Sequence, residues 1–310
     1  MSHDTYQLLC QLETTPQALQ ASHEYLTDKL RALLSNQEPV LICFPDEGEK
    51  SIGGIFGKAV RACGAEPIFW GPDFRWKELL RIAFNTHANT IIAHPMIVLG
   101  LMKLAKATQT PLYIYDVVLV GYPYARWMLE GIKKTLDCRV WGCYAARSGP
   151  MILGFTCDRE AGIHIRDDIF TASVLDGQGE QVAEPERGRL LFAYRAAPDM
   201  VFDPEESCVL RFQPCSCGCD SPRLVETLYT GQSNLTKLLL EDRFLQWSSV
   251  LDYRAERTEC GIDLELVVFP GESLPRLPTC ARLTVRPWEP DTEIPFYALE
   301  NFINVPENYW

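Results

Sequence analysis

Asp116-Val-Val-Leu-Val-Gly-Tyr-Pro-Tyr124 is the stretch on which the fold turns. Its apolar run is too short for a helix and lacks the polar alternation of a half-exposed strand, so it reads as a strand buried on both faces. Gly121 ends the strand, residues 125–136 have helical spacing, and Arg139-Val-Trp141 reads as the next strand. The same rhythm runs upstream. Residues 16–35 form an amphipathic helix with Leu19, Tyr25, Leu26, Leu30, Leu33 and Leu34 on one stripe, broken by Ser22. Strands follow at Pro39-Val-Leu-Ile-Cys-Phe44, Glu66-Pro-Ile-Phe-Trp70 and Thr90-Ile-Ile-Ala93, with helices at 51–63, 76–84 and 97–107 between and after them. Strands alternating with helices of this length predict a parallel sheet covered on both faces.

The pattern changes after residue 149. Residues 150–225 are rich in Gly and Pro and carry short runs such as Arg189-Leu-Leu-Phe-Ala193, which predict an antiparallel or barrel-like β-rich unit. Residues 226–310 read as a reduced α+β unit, with a helix at 235–244, strands at 248–253 and 263–269, and a proline-punctuated tail expected to wrap on the surface. The expected organisation is therefore an N-terminal domain over 1–225, divided into an α/β part (1–149) and a β-rich part (150–225), followed by a small C-terminal domain.

The chain has 310 residues, 47% hydrophobic and 23% charged, enough for a sizeable core and too apolar for global disorder. A formal charge of −12 argues against a nucleic-acid polymer or an anionic membrane as partner. No basic segment followed by an apolar run opens the chain and no stretch has the length of a membrane helix, so the twelve cysteines are expected in a reducing cytoplasm. In that setting they point to a metal site plus buried thiols. Cys43 and Cys63 are expected among the buried ones.

Cys157-x6-His164 and, some fifty residues on, Cys215-Ser-Cys217-Gly-Cys219 supply the sulfur and imidazole ligands of a tetrahedral zinc. Three cysteines within five residues are hard to explain as packing, and Gly218 allows a tight turn. Cys217 and Cys219 compete for one ligand position. His94 stands at a strand end, where open α/β sheets place ligand groups, although a capping histidine is the commoner use. Gly53-Gly54 reads as close helix packing.

Several stretches, in order, resemble the adenylate-forming ligases and among them the phenylacetate–CoA ligase branch. Asp116–Tyr124 is similar to the strand and "GGEP-aromatic" loop, and Asp137-Cys-Arg-Val-Trp-Gly-Cys-Tyr-Ala145 to the strand leading into "YGxTE". Cys157, Gly162-Ile-His-Ile165 and Asp168 resemble "EC…GLHxxED". Pro214-Cys-Ser-Cys-Gly-Cys-Asp-Ser-Pro-Arg223 resembles "CPCGrxxPR", Gly231-Gln-Ser-Asn234 the "GRSDD" hinge, and Ala93-His-Pro95 a "TPS" turn. The resemblance covers most of residues 10–270. It implies an acyl-CoA-synthetase-like fold in which ATP and Mg2+ activate an aromatic or other carboxylic acid as an acyl-adenylate. It assigns the metal to Cys157, His164, Cys215 and Cys217, as structural Zn2+. It places an adenine nucleotide near Gly121, Tyr122, Tyr144, Ala145, Arg147, Ser148 and Glu206, with Trp127, Trp141 and Tyr124 among the aromatics around the acid and adenine.

The sequence departs from that pattern where ATP is handled. The phosphate loop falls at Gln11-Leu-Glu-Thr-Thr-Pro-Gln17, which has no glycine to let backbone N–H groups converge on an anion, and Thr-Thr-Pro suits a helix cap. The Thr-Glu of "YGxTE" is Arg147-Ser148, which removes a Mg2+-side carboxylate. The ribose-binding aspartate falls near Asp203-Pro-Glu-Glu206, an acidic loop in which Glu206 is the substitute and Asp203 the fallback. The last lysine is Lys237, so the family's C-terminal catalytic lysine has no counterpart. The sequence also has fewer residues ahead of the phosphate loop, which implies a cut-down first subdomain and an apolar face buried by a homodimer or a partner protein. Two functions follow from these features. One is an adenine-nucleotide-dependent ligase. The other is a catalytically degenerate relative, a pseudoenzyme, that binds a ligand or a protein.

Overall fold

The computed structural model describes residues 15–70, 75–121, 126–145, 152–157, 159, 162–204, 206–229, 248–258, 261–270 and 281–288. The expected helix at 235–244, the segment Gly231–Asn234, residues 11–14, and Tyr122, Tyr124, Arg147 and Ser148 lie outside them.

The first half is an alternating α/β unit. Helix α1 (Pro16–Arg31) starts at Thr15, whose hydroxyl accepts from the Ala18 N–H at 3.3 Å, with Pro16 in the first turn. Strand β1 (Pro39–Ile42) leads to α2 (Ile52–Ala62), capped by Ser51, then β2 (Glu66–Phe69), α3 (Trp76–Thr86), β3 (Thr90–Ala93), α4 (Pro95–Thr108), β4 (Asp116–Val120), α5 (Arg126–Leu136) and β5 (Arg139–Ala145). All pairings among β1–β5 are parallel, in the spatial order β2-β1-β3-β4-β5. Successive strand residues face opposite cores. Val40, Ile42, Ile92, Val118 and Val120 pack under α1 and α2, while Leu41, Cys43, Ile91, Ala93, Val117 and Leu119 pack under α3–α5. A Cβ at Gly53 would strike the Pro45 carbonyl, and one at Gly54 the Gly48 carbonyl, so this pair does let α2 seat closely on the preceding loop.

The β-rich part continues the same sheet. Strands β6 (Ile152–Thr156), β7 (Ile163–Ile165), β8 (Phe170–Leu175), β9 (Arg187–Tyr194), β10 (Ala197–Phe202), β11 (Glu206–Arg211) and β12 (Arg223–Tyr229) extend it antiparallel beyond β5, in the order β5-β6-β7-β12-β11-β9-β10, with β8 also on β9. The result is a 12-stranded sheet. Its antiparallel half has its own core around Leu153, Phe170, Leu190, Phe192, Cys208 and Leu210.

A second sheet joins β13 (Val250–Thr258), β14 (Gly261–Val268) and β15 (Ala281–Pro287), with β13 antiparallel and β15 parallel to β14. The expected surface tail is therefore corrected over these residues. Ala281–Pro287 is a strand, and Trp288, whose N–H donates to the Val268 carbonyl at 2.7 Å, is buried against Phe269. The apolar side chains of this sheet share one core with α3–α5.

Candidate metal centre and nucleotide-side residues

Four of the expected ligands meet at one end of the antiparallel half. Cys157 follows β6, His164 sits on β7, and Cys215 and Cys217 lie in the turn between β11 and β12. β7 pairs with both β6 and β12, which brings the three segments side by side. Within the turn the Gly218 N–H donates to the Cys215 carbonyl at 2.9 Å and the Cys215 N–H to the Cys219 carbonyl at 3.1 Å. Gly218 has φ +88, a value that favours glycine, and this folds two sulfurs inward within three residues.

The ligand atoms of Cys157, His164, Cys215 and Cys217 all lie within 4.8 Å of one another. The Cys157 and Cys215 sulfurs are 3.8 Å apart, and the Cys217 sulfur is 3.6 Å from His164 Nε2. A zinc tetrahedron with Zn–S of about 2.3 Å and Zn–N of about 2.0–2.1 Å has S···S edges of roughly 3.8 Å and S···N edges of roughly 3.6 Å. The donor set therefore fits that ion in type, number and spacing. Burial, with Arg223 and Lys29 nearby, holds the His164 imidazole below its ordinary pKa, so it is kept in the neutral form that binds metal. Burial pushes the Cys215 thiol up, but hydrogen bonds from its knuckle and the Arg223 charge outweigh that and leave it lowered. Cys217 is raised, by burial and by the sulfurs beside it. Cys219 is outside the cluster but lines the same cleft of about 220 Å³, together with Lys29, Trp141, Phe155 and Thr156.

Trp141 is thus away from the strand ends where aryl acid and adenine were expected. Its indole N–H donates at 3.0 Å to Asp116, a buried carboxylate that also accepts from Arg139 at 2.7 Å. Arg166, unremarked in the sequence, has a side chain with 0% exposure. It donates to Ser22 Oγ at 2.8 Å and to Asp168 at 2.9 Å, and its guanidinium lies over the Tyr25 ring. The polar break in the α1 stripe is therefore the acceptor for a buried arginine, and a buried cation needs such partners.

Of the residues expected around a nucleotide, the described ones split into two pairs. Gly121 (φ +97) follows β4 and its N–H donates to the Cys143 carbonyl at 3.1 Å, while Ala145 ends the neighbouring β5. Both stand at carboxyl ends of parallel strands, beside His94, which caps α4 by accepting the Met96 N–H on Nδ1 at 3.4 Å. β1 is flanked by β2 and β3, so the sheet reverses its direction of growth there, the place where such sheets bind ligands. Tyr144 and Glu206 form the second pair, with the phenol donating to the carboxylate at 2.8 Å. The acidic-loop expectation for Glu206 is corrected: it opens β11 and is 3% exposed, because β11 inserts between β9 and β12. Tyr144 is likewise buried, its ring 6.0 Å from Phe192. Asp203 is engaged by Arg189 at the surface.

No protein-family model and no curated protein matches the sequence. Solved structures do match in fold. The chain overlays 2-hydroxyisobutyryl-CoA ligase in the postadenylation state with TM-score 0.63 at 12% identity, over 94% of this chain and 70% of that one. It overlays a benzoate CoA ligase from Burkholderia xenovorans LB400 with TM-score 0.51 at 11% identity (82% and 56% covered). The amide bond synthetase McbA from Marinactinospora thermotolerans gives TM-score 0.51 at 12% identity (82% and 56%). The structural neighbours are thus adenylate-forming and acyl-CoA ligases, and the mixed α/β fold with its large sheet is what the chain shares with them. The chain spans 60% of the 2-hydroxyisobutyryl-CoA ligase chain in its open conformation. Among the described residues no helix is long and apolar enough to cross a membrane.

Proposed function

We propose that the protein is an adenylate-forming ligase of the acyl-CoA-synthetase-like type, acting on an aromatic or other carboxylic acid with an adenine nucleotide, in the manner of the phenylacetate–CoA ligase branch. The observation that carries this reading is the overlay on 2-hydroxyisobutyryl-CoA ligase across 94% of the chain. In the reaction a substrate carboxylate oxygen attacks the α-phosphorus of ATP, the bond to the β-phosphate breaks and pyrophosphate leaves. The acyl group then passes to an acceptor thiol, releasing AMP. The crevice at the carboxyl ends of β1, β3, β4 and β5, bordered by His94, Gly121 and Ala145, is where acid and nucleotide would meet. The Tyr144 phenol donates to the Glu206 carboxylate at 2.8 Å, so a nucleotide that used the phenol as a donor would compete with that hydrogen bond.

Cys157, His164, Cys215 and Cys217 would hold Zn2+, which closes its coordination shell with protein ligands and serves structure. It would tie β6, β7 and the β11–β12 turn together without taking part in the reaction.

Calorimetric titration with ATP·Mg2+ and with AMP tests the proposal. Micromolar binding of either is the expected result, followed by acid-dependent pyrophosphate exchange with a panel of aryl acids. Absence of heat with both nucleotides would overturn it and leave the degenerate, ligand- or protein-binding relative.

A further inference from the structure

The sulfur cluster is closed on one side and open on the other. Cys215 is buried in the knuckle. Cys157, His164 and Cys217 line the cleft of about 220 Å³, and Cys217 is the most exposed of the four ligand residues. Cys219 lines the same cleft as a fifth donor outside the cluster. Its backbone is tied to two of the ligands. The Cys219 carbonyl accepts the Cys215 N–H at 3.1 Å, and the Cys219 N–H is directed at the Cys217 sulfur. Gly218, between the two cysteines, has φ +88, and a Cβ there would meet no atom within 4 Å. The link between the sulfurs is therefore a residue that turns at low conformational cost, with space on its outer side. Spacing points the same way. Three residues separate Cys215 from Cys219 and one separates it from Cys217. Structural zinc sites usually space paired cysteines by about two to four residues, so Cys219 has the commoner spacing and Cys217 the tighter one.

We propose that Cys219 is a reserve ligand of the metal centre, which takes the place of Cys217 when that sulfur detaches toward the cleft. The proposal rests on the Zn2+ reading of the cluster given above. The exchange balances atom for atom: the Cys217 sulfur–metal bond breaks, a Cys219 sulfur–metal bond forms, and Cys217 takes up the proton that Cys219 releases. The filled d shell of Zn2+ imposes no geometric preference of its own, so the ion accepts either sulfur at the fourth corner. Cys215 stays in place throughout and keeps the Cys219 backbone beside the ion. The metal is then lost to solvent through the cleft only when both sulfurs are off it together.

Co2+ bound to the full chain in place of spectroscopically silent Zn2+ tests the exchange, because its sulfur charge-transfer bands count the bound thiolates. The unmodified chain is expected to show three. Cys219→Ser alters no ligand of the cluster as it stands, and is expected to keep the three thiolates while releasing Co2+ to a chelator severalfold faster. Cys217→Ser is expected to show three as well, with affinity reduced by no more than the ~10–100-fold that an outer-shell partner is worth. The double variant Cys217→Ser/Cys219→Ser is expected to show two and to bind more weakly than either single variant. A release rate unchanged by Cys219→Ser, in a chain that still holds Co2+ by three thiolates, would overturn the reserve role and leave the metal reading intact. A count of two in Cys217→Ser would do the same. A thiolate lost in Cys219→Ser would make Cys219 the resident ligand and overturn the exchange. An unmodified chain with no thiolate bands would overturn the metal reading itself, and the reserve ligand with it.

Discussion

The parallel and antiparallel halves of the one large sheet are held by different physics. In β1–β4 the fully buried positions are apolar apart from Thr90 and Asp116, and two layers of helix cover them. In the antiparallel half, His164, Arg166 and Glu206 are buried within strands or immediately beside them, and each is engaged by polar partners: the sulfur cluster for His164, Ser22 and Asp168 for Arg166, and Tyr144 among those of Glu206. Burial of apolar area tolerates modest changes of shape. A buried polar group that loses its partner bears its whole desolvation cost. The halves should therefore respond unequally to small substitutions, with the antiparallel half the more sensitive.

The largest effect is expected at the sulfur cluster. Cys215→Ser changes one atom, yet it removes a ligand from the centre of the knuckle. Zinc affinity should fall by more than the ~10–100-fold that outer-shell partners are worth, and the thermal midpoint should drop with it. Metal content after dialysis against a chelator, together with calorimetric unfolding, reads both. A variant with full zinc and an unaltered midpoint would remove the cluster from the comparison. Next comes Asp168→Ala, which leaves the Arg166 guanidinium with Ser22 as its remaining partner of this pair. Removing one partner of a fully buried pair costs about 3–5 kcal/mol, and Asp168 is itself half exposed, so about 2 kcal/mol is expected in denaturant unfolding. A loss below the scatter of surface substitutions would mean that water replaces the carboxylate.

These contrasts explain which parts of the molecule could be read from the chain. Strands β1, β3 and β4 announced themselves because a doubly covered strand is a nearly continuous apolar run, and the helices between them have a clear period. The Cys/His cluster was legible because Cys-x-Cys is chemically distinctive over a few residues, and β7 needed only to bring His164 alongside. Arg166 was not, because its partner Ser22 is 144 residues away and its burial depends on α1 crossing the sheet. Ser22 was the available signal: a polar residue on an apolar stripe implies an acceptor in use. Glu206 was misread for a related reason, since an acidic run after Pro204 looks like a solvated loop until β9 and β12 close around it. Strand β15 was hidden by flanking prolines and by parallel pairing with β14, a contact with no local signature.

Tyr144→Phe gives a smaller and more diagnostic effect. It keeps the ring against Phe192 and removes the donor to Glu206, so about 1–2 kcal/mol of stability should be lost. If the phenol also has to release Glu206 before a nucleotide binds, the same variant should bind AMP no more weakly than the parent. Weaker binding would place the phenol in contact with the nucleotide.

The smallest effect expected is no effect at all, in the thiols of the parallel half. Cys43 is fully buried in β-sheet core, and burial pushes its thiol well above the ordinary value. Cys143, on β5, is raised for the same reason, and partly buried Cys63 is raised by its burial. Thiolate is the reactive form, so none of the three should label with a thiol reagent in the folded protein on the timescale at which Cys219, in the open cleft, does. Mass spectrometry after timed alkylation separates them. Adding a strong chelator should bring Cys157, Cys215 and Cys217 into the labelled set while Cys43 and Cys143 stay unmodified, because the metal protects the first group and the packed sheet protects the second. Labelling of Cys43 in step with Cys208, which is buried in the antiparallel core, would mean that the parallel half opens as readily as the antiparallel half, and the two would then share one stability despite their different construction.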